Sequence, residues 1–326
     1  METEERDGVM AGAAERIAWI GTGIMGVRMS ARLLAAGRPL RVWNRSRAKT
    51  VPLVDAGAVA ADSAAEACRG AGVVFLMLAD GAGTAAVLFD DGAADALAPG
   101  ALVVDMGSNS PSAARHHAGR LAERGIRHLD APVSGGPGGA EQGTLAIMAG
   151  GAAEDFERAR PLLERLGRPT LVGPCGAGQL AKLCNQTIVA LTIGAVAEAL
   201  LLAAGGGADP AKVRDALAGG FADSLILKVH GQRMLDRSFA PGGPSRLQLK
   251  DLRNILDAAR EAGLELPLAS HVAELYASLV GHGGGDLDHS ALFLEIERQA
   301  QAGPGAAPAE GAVERTGPAD TDGVRA

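Results

Sequence analysis

The feature that most constrains this chain is a rhythm: between residues 16 and 172, short apolar runs alternate with helical patterns. The runs IAWIG, LRVWN, VVFLML, ALVVDM, RHLDAPV, TLAIMAG and PTLVG can each supply a buried strand, and segments such as MSARLLAAG between them carry helical spacing. Parallel neighbours need a crossover, and the crossover is usually a helix. The alternation therefore predicts an α/β fold, a doubly wound and mostly parallel sheet of the Rossmann type covered by helices. Composition fits that packing. Hydrophobic residues make up 47% of the chain but aromatics only 3%, so Ala, Val, Leu and Ile must fill the interior closely.

Past a glycine- and proline-containing cluster at 172–178 the pattern changes to long helical segments, expected at 179–204, 210–218, 224–236, 248–262, 267–280 and 290–299. A chain of 326 residues has room for two cores. The expected organisation is a flexible extension (1–15), a Rossmann-type α/β domain (16–176), an all-helical domain (177–300) and a disordered tail (301–326) low in core-forming residues. No internal repeat is visible.

The formal net charge of −7 argues against nucleic acid or an acidic membrane surface as partner, because both demand a basic patch. Cys68, Cys175 and Cys184 are an odd number in a chain large enough to do without disulfides, which suggests free thiols in a reducing cytoplasm. Residues 1–15 are polar and acidic, unlike a secretory signal. The stretch 186–204 is as long as a membrane span, but it contains Thr187, Thr192 and Glu198 and follows Lys182 and Asn185 without a basic flank. A helix buried between domains or subunits is expected instead, in a homodimer or homotetramer.

Ile17-Ala-Trp-Ile-Gly21-Thr22-Gly23-Ile24-Met25-Gly26 runs from a strand through glycines into a helix, the context a dinucleotide fingerprint requires. Gly21 suits the tight turn, Gly23 lets a pyrophosphate approach the backbone and Gly26 lets helix and strand pack closely. The phosphates would then meet free amides at a helix start. The ribose-reading residue belongs at the end of the second strand, where Asn44-Arg45-Ser46 stands. No carboxylate is there to repel a 2′-phosphate, and Arg45 offers a donor fork, so NADP is the expected cofactor, with NAD possible.

Two further segments carry chemistry: Asp130-Ala-Pro-Val-Ser134-Gly135-Gly136-Pro-Gly138-Gly139, and Gly176-Ala-Gly178-Gln-Leu-Ala-Lys182-Leu-Cys-Asn185-Gln186. With the fingerprint, in this order, they make the chain resemble the β-hydroxyacid dehydrogenase family over roughly residues 17–297. Leu249-Lys250-Asp251-Leu252 and Asp288-His289-Ser290-Ala291-Leu292 look most like its tartronate semialdehyde reductase branch. The resemblance implies an NAD(P)-dependent oxidoreductase that interconverts a small 3-hydroxy acid and its semialdehyde or keto form.

Chemistry supports that expectation. Hydride transfer to a carbonyl leaves an alkoxide that needs a proton, and Lys182, near a helix start in a half-buried cleft, is the general acid and base. Its pKa is expected to fall below about 10.4. Asn185, three residues on, shares its helix face and can hold the substrate. Ser134, Gly135 and Gly136 supply a hydroxyl and open amides for a carboxylate. The resemblance further implies Ser108, Met77, Leu78 and Lys250 at the cofactor or cleft. His116, His117, His230, His271, His282 and His289 are scattered, with no carboxylate cluster joining them, so no metal is expected.

There are departures from the family pattern. Pro244-Ser-Arg246-Leu-Gln248 does not match the arginine-containing segment of tartronate semialdehyde reductases, and Gln186 stands where many relatives carry a second asparagine. The substrate is left open. Two alternatives share the fold: an imine reductase, which usually has an acid or tyrosine in place of Lys182, and a catalytically silent cofactor-binding scaffold, which lacks the lysine. The lysine argues against both.

Overall fold

A computed structural model describes residues 15–302, so the expected extension and tail lie almost wholly outside the described residues. Nine strands form one sheet: β1 (Ile17–Ile20), β2 (Leu40–Trp43), β3 (Val59–Ala60), β4 (Val73–Leu76), β5 (Leu102–Asp105), β6 (Arg127–Asp130), β7 (Val133–Ser134), β8 (Leu145–Gly150) and β9 (Gly167–Gly173). Their order is β3-β2-β1-β4-β5-β6-β8-β7, with β9 paired to β8. From β3 to β6 all pairings are parallel; β8 runs antiparallel to β6 and β7. The chain order reverses at β1, and Gly21 follows that strand directly. In such sheets ligands bind beyond the carboxyl ends of the strands at the reversal.

The inner strands are buried on both faces, which is why they read as unbroken apolar runs rather than alternations. On β1, Ile17 and Trp19 enter one core and Ala18 and Ile20 the opposite one. Trp19 stacks on Phe75 of β4 with ring centroids 5.2 Å apart. One expectation needs correcting. RHLDAPV is not a single strand: the sheet inserts β8 between β6 and β7. The break falls at Ala131 and Pro132, and Pro132 has no amide to continue the ladder.

The helical part opens with a 29-residue helix, Ala177–Gly205. Leu183, Ala190, Ile193, Ala197 and Leu200 line its inner side against Leu227, Leu252, Tyr276 and Leu292. Helices Leu225–Leu235, Ser245–Glu261, Pro267–Gly281 and Leu292–Ala302 surround it. Among the described residues it is the one helix long and apolar enough to cross a membrane, yet only 33% of its most apolar window is buried within the chain. Leu180, Ile188 and Leu202 on its outer side are exposed.

Candidate active site

At the end of β1 the backbone leaves no room for side chains. Gly21 has φ +94°, and a Cβ there would strike the carbonyl of Met77; a Cβ on Gly26 would strike the carbonyl of Gly21. Trp19 Nε1 donates to Gly21 O at 3.0 Å, and Gly21 N donates to Trp43 O at 2.9 Å, which holds the turn from both sides. Gly23 differs: a Cβ there would meet nothing within 4 Å. Its freedom is directed at open space, as a pyrophosphate lying against the turn requires. Thr22 is buried with its hydroxyl unpartnered, Ile24 is exposed and Met25 half-buried at the helix start. These features fit a dinucleotide.

Asn44 ties this turn to the next strand end, accepting from Thr22 N through Oδ1 at 3.0 Å and donating from Nδ2 to Ser46 O at 3.0 Å. Arg45 is exposed, and among the described residues no hydrogen bond or ion pair engages it, whereas its neighbour Arg47 pairs with Asp62. Met77 and Leu78 do not extend β4; they back the glycine turn, Met77 through its carbonyl and Leu78 through its side chain. Each also packs against a core of the sheet.

The helical part is fastened to the strand ends by buried polar groups. Asp130, at the tip of β6, accepts from Gly176 N at 2.7 Å and Gln179 N at 2.8 Å, and so caps the start of the long helix. Gln179 is fully buried; it donates to Gly107 O at 2.8 Å and accepts from Asn109 N at 2.9 Å. Beside Asp130, Asp105 at the tip of β5 accepts from Gly107 N at 3.0 Å and Asn109 Nδ2 at 2.7 Å. Burial pushes Asp105 up to about 7 and Asp130 up to about 6, the latter against the pull of the helix amides. A Cβ on Gly178 would collide with the carbonyls of Met148 and Asp130, so only glycine lets the helix come this close.

That clamp puts Lys182 one turn later beside the serine loop: its Nζ donates to Val133 O at 2.9 Å, next to Ser134. Burial lowers the ammonium to about 8; Asp251 works in the opposite direction and Lys250 adds to the fall. Ser134 is half-buried, and its hydroxyl has no protein partner among the described residues. Gly135 and Gly136 are exposed with φ +137° and +62°, and the helix Gly136–Gln142 starts there with its first amides free of intrahelical partners. Lys250 reaches Ser108 O at 3.2 Å and Ala79 O at 3.4 Å, while Ser108 Oγ lies 3.4 Å from Asp251. Asn185 donates to Gln186 Oε1 at 2.9 Å, and Gln186 donates to Asp251 at 2.7 Å. Lys182, Ser134, Asn185, Lys250 and Ser108 thus gather around one cleft.

Asp130, Gln179, Gly178 and Asp251 lay inside quoted motifs without a role. Their partners are distant in the chain, so spacing offered no signal. The scattered histidines also need correcting. His230 and His289 meet at 3.2 Å, with Asp288 Oδ1 3.6 Å from His230 Nδ1, and His282 lies 3.1 Å from Glu295. Asp288 is committed to Gly242 N, Gly243 N, Ser290 and Arg233. Although burial raises it, the nearby His230 and the hydrogen bonds from Ser290 and Gly242 hold its carboxyl well below the usual range. His128, Asp130 and Cys175 form a second close group, in which both Asp130 oxygens already serve the helix amides.

Comparison with known proteins agrees with this geometry. Residues 16–178 match the NAD-binding domain of 6-phosphogluconate dehydrogenase, and residues 176–295 match the NAD-binding family domain of NADP-dependent 3-hydroxyisobutyrate dehydrogenase. The chain is 44% identical over 287 residues to 2-hydroxy-3-oxopropionate reductase of Escherichia coli, covering 87% of this chain and 98% of that one. It is 37% identical over 292 residues to 3-hydroxyisobutyrate dehydrogenase of Pseudomonas aeruginosa, covering 86% and 97%. Among solved structures, Mycobacterium tuberculosis 3-hydroxyisobutyrate dehydrogenase with L-serine superposes with a TM-score of 0.79 at 33% identity, covering 87% and 99%. With both halves matched and the lysine cleft assembled, the chain belongs to the β-hydroxyacid dehydrogenase family and is an NAD(P)-dependent 3-hydroxyacid oxidoreductase.

Proposed function

We propose that the protein is a cytoplasmic, NADP-preferring reductase of short semialdehyde or keto acids, with tartronate semialdehyde the leading substrate. The observation that carries this is Lys182 Nζ, held 2.9 Å from Val133 O beside the serine loop and lowered by burial to about 8. Such a group can exchange a proton near neutral pH. Ser134, Gly135 and Gly136 hold the substrate carboxylate, and Asn185 holds a second polar group. When bound, the nicotinamide supplies a hydride to the carbonyl carbon. Lys182 then gives its proton to the oxygen, and in the reverse direction its neutral amine takes the hydroxyl proton. The burial that lowers Lys182 also limits water at the reacting atoms. Tartronate semialdehyde leads because the Escherichia coli reductase named for it, as 2-hydroxy-3-oxopropionate, is 44% identical. The three free cysteines support a reducing compartment.

NADP is favoured because Arg45 stands exposed at the end of β2, unengaged among the described residues, with Asn44 in place of a carboxylate. A test is turnover of tartronate semialdehyde, succinic semialdehyde and glyoxylate, and in reverse of 3-hydroxyisobutyrate and threonate, with each nucleotide. The expected result is a higher kcat/KM with NADPH than with NADH. Arg45→Asp should then lower that ratio about tenfold or more, since a charge-assisted contact contributes ~1.5–3 kcal/mol. Equal ratios in both proteins would remove Arg45 from cofactor choice, and no turnover of any substrate would end the proposal.

The exposed side of the long helix, with Leu180, Ile188 and Leu202, supports a homodimer or homotetramer built on that helix. Light scattering should give at least twice the chain mass, and Ile188→Glu should shift it toward one chain. A stable wild-type monomer would refute this assembly.

A further inference from the structure

The relatives' names pose a question about the carbon next to the reacting one. 2-Hydroxy-3-oxopropionate bears a hydroxyl there, L-serine an amino group and 3-hydroxyisobutyrate a methyl. Asn185 could turn either end toward this substituent, because an amide has an acceptor at one end and two donors at the other. The surrounding side chains remove that choice. Asp251 is buried, and as a carboxylate it only accepts; it takes a hydrogen bond from Gln186 Nε2 at 2.7 Å. Gln248 Oε1 lies 3.4 Å from the same nitrogen and 3.3 Å from His289 Nδ1, but Gln248 is itself an amide whose Nε2 is buried without a partner among the described residues, so Asp251 is the group that sets the orientation. Gln186 Oε1 is thereby turned to Asn185, whose Nδ2 donates to it at 2.9 Å. Among the described residues no protein group donates to Asn185 Oδ1.

We infer that Gln186, oriented by Asp251, is a specificity-determining positioning residue that makes Asn185 offer its oxygen to the substrate, so that the site selects a hydrogen-bond donor on the middle carbon. This rests on the substrate class proposed above. The choice follows by elimination in a three-carbon substrate. The carboxylate has only lone pairs, which Asn185 Oδ1 repels. The reacting oxygen exchanges its one proton with Lys182, a turn earlier on the same helix face. What remains is the substituent between them. A hydroxyl or ammonium group there satisfies Oδ1, whereas a methyl strips that oxygen of water and returns nothing. Sites built around such a polar contact reject the analogue that lacks it far more strongly than apolar pockets reject an extra methylene.

The test compares oxidation of glycerate, serine and 3-hydroxyisobutyrate with the preferred nucleotide. Wild type should favour glycerate or serine over 3-hydroxyisobutyrate by at least about tenfold in kcat/KM. Gln186→Leu should cut that ratio about tenfold, through KM for the donor-bearing substrates, and leave 3-hydroxyisobutyrate and the pH profile near wild type. A Gln186→Leu variant that slows all three substrates equally, or a wild type that prefers 3-hydroxyisobutyrate, overturns the inference while the proposed function stands. Wild type inert on all three with both nucleotides overturns this inference, and the proposed function falls with it only if the semialdehyde panel is also not turned over.

Discussion

Lys182→Ala should lower kcat in both directions by about a hundred- to ten-thousandfold, the range a positioned acid-base group contributes. Nucleotide affinity should stay near wild type, because the glycine turn after β1 does not involve the lysine. The pH profile is the sharper readout. Burial brings the Lys182 ammonium to about 8. Reduction uses the protonated form, so kcat/KM for a semialdehyde should be level at lower pH and fall as pH rises through about 8. Oxidation uses the neutral amine, so its rate should rise through the same region and then level off. Lys182→Arg keeps the charge but holds its proton throughout this range, so it should be nearly as slow as the alanine variant. A wild-type rate in Lys182→Ala would refute the assigned acid-base role, as would profiles without a break near 8 in either direction.

Why some of this molecule was legible in its sequence and some was not comes down to distance along the chain. Strands such as Val73–Leu76 and Leu102–Asp105 are buried on both faces, and that writes a continuous local signal. Gly21 and Gly26 are legible for a similar reason: a backbone oxygen occupies the space a Cβ would take, so no other residue fits. The same local logic failed at RHLDAPV, where apolar continuity hid a change of strand at Pro132. It was silent about Asp130, Gln179 and Asp251, whose partners lie 49, 72 and 143 residues away. Nor could spacing reveal that His230 and His289, 59 residues apart, share a hydrogen bond beside Asp288. Lys182 falls between these cases. Its residue type and helix start point to acid-base chemistry, but its depressed pKa depends on burial by elements that meet only in the fold.

That dependence makes Gly178→Ala the second large effect expected. The new methyl would face the carbonyls of Met148 and Asp130, which are backbone and cannot swing aside. The helix cannot retreat freely either, because Gly176 N and Gln179 N are bonded to the Asp130 carboxylate and the Gln179 side chain to Gly107 O and Asn109 N. Either those bonds lengthen or the sheet edge shifts. Overpacking of this kind costs about 1–3 kcal/mol, and Tm should fall accordingly. Catalysis should suffer more than stability. Lys182 sits one turn beyond the obstruction, and a displacement of about 1 Å can cost about a hundredfold in rate. Nucleotide binding should be nearly unchanged, in contrast to Gly26→Ala, whose methyl meets Gly21 O and should abolish nucleotide affinity directly. If Gly178→Ala instead kept its kcat while losing nucleotide affinity, Asp130 and Gln179 would not be what aims the lysine, and the cleft would have to be held together from the helical side alone.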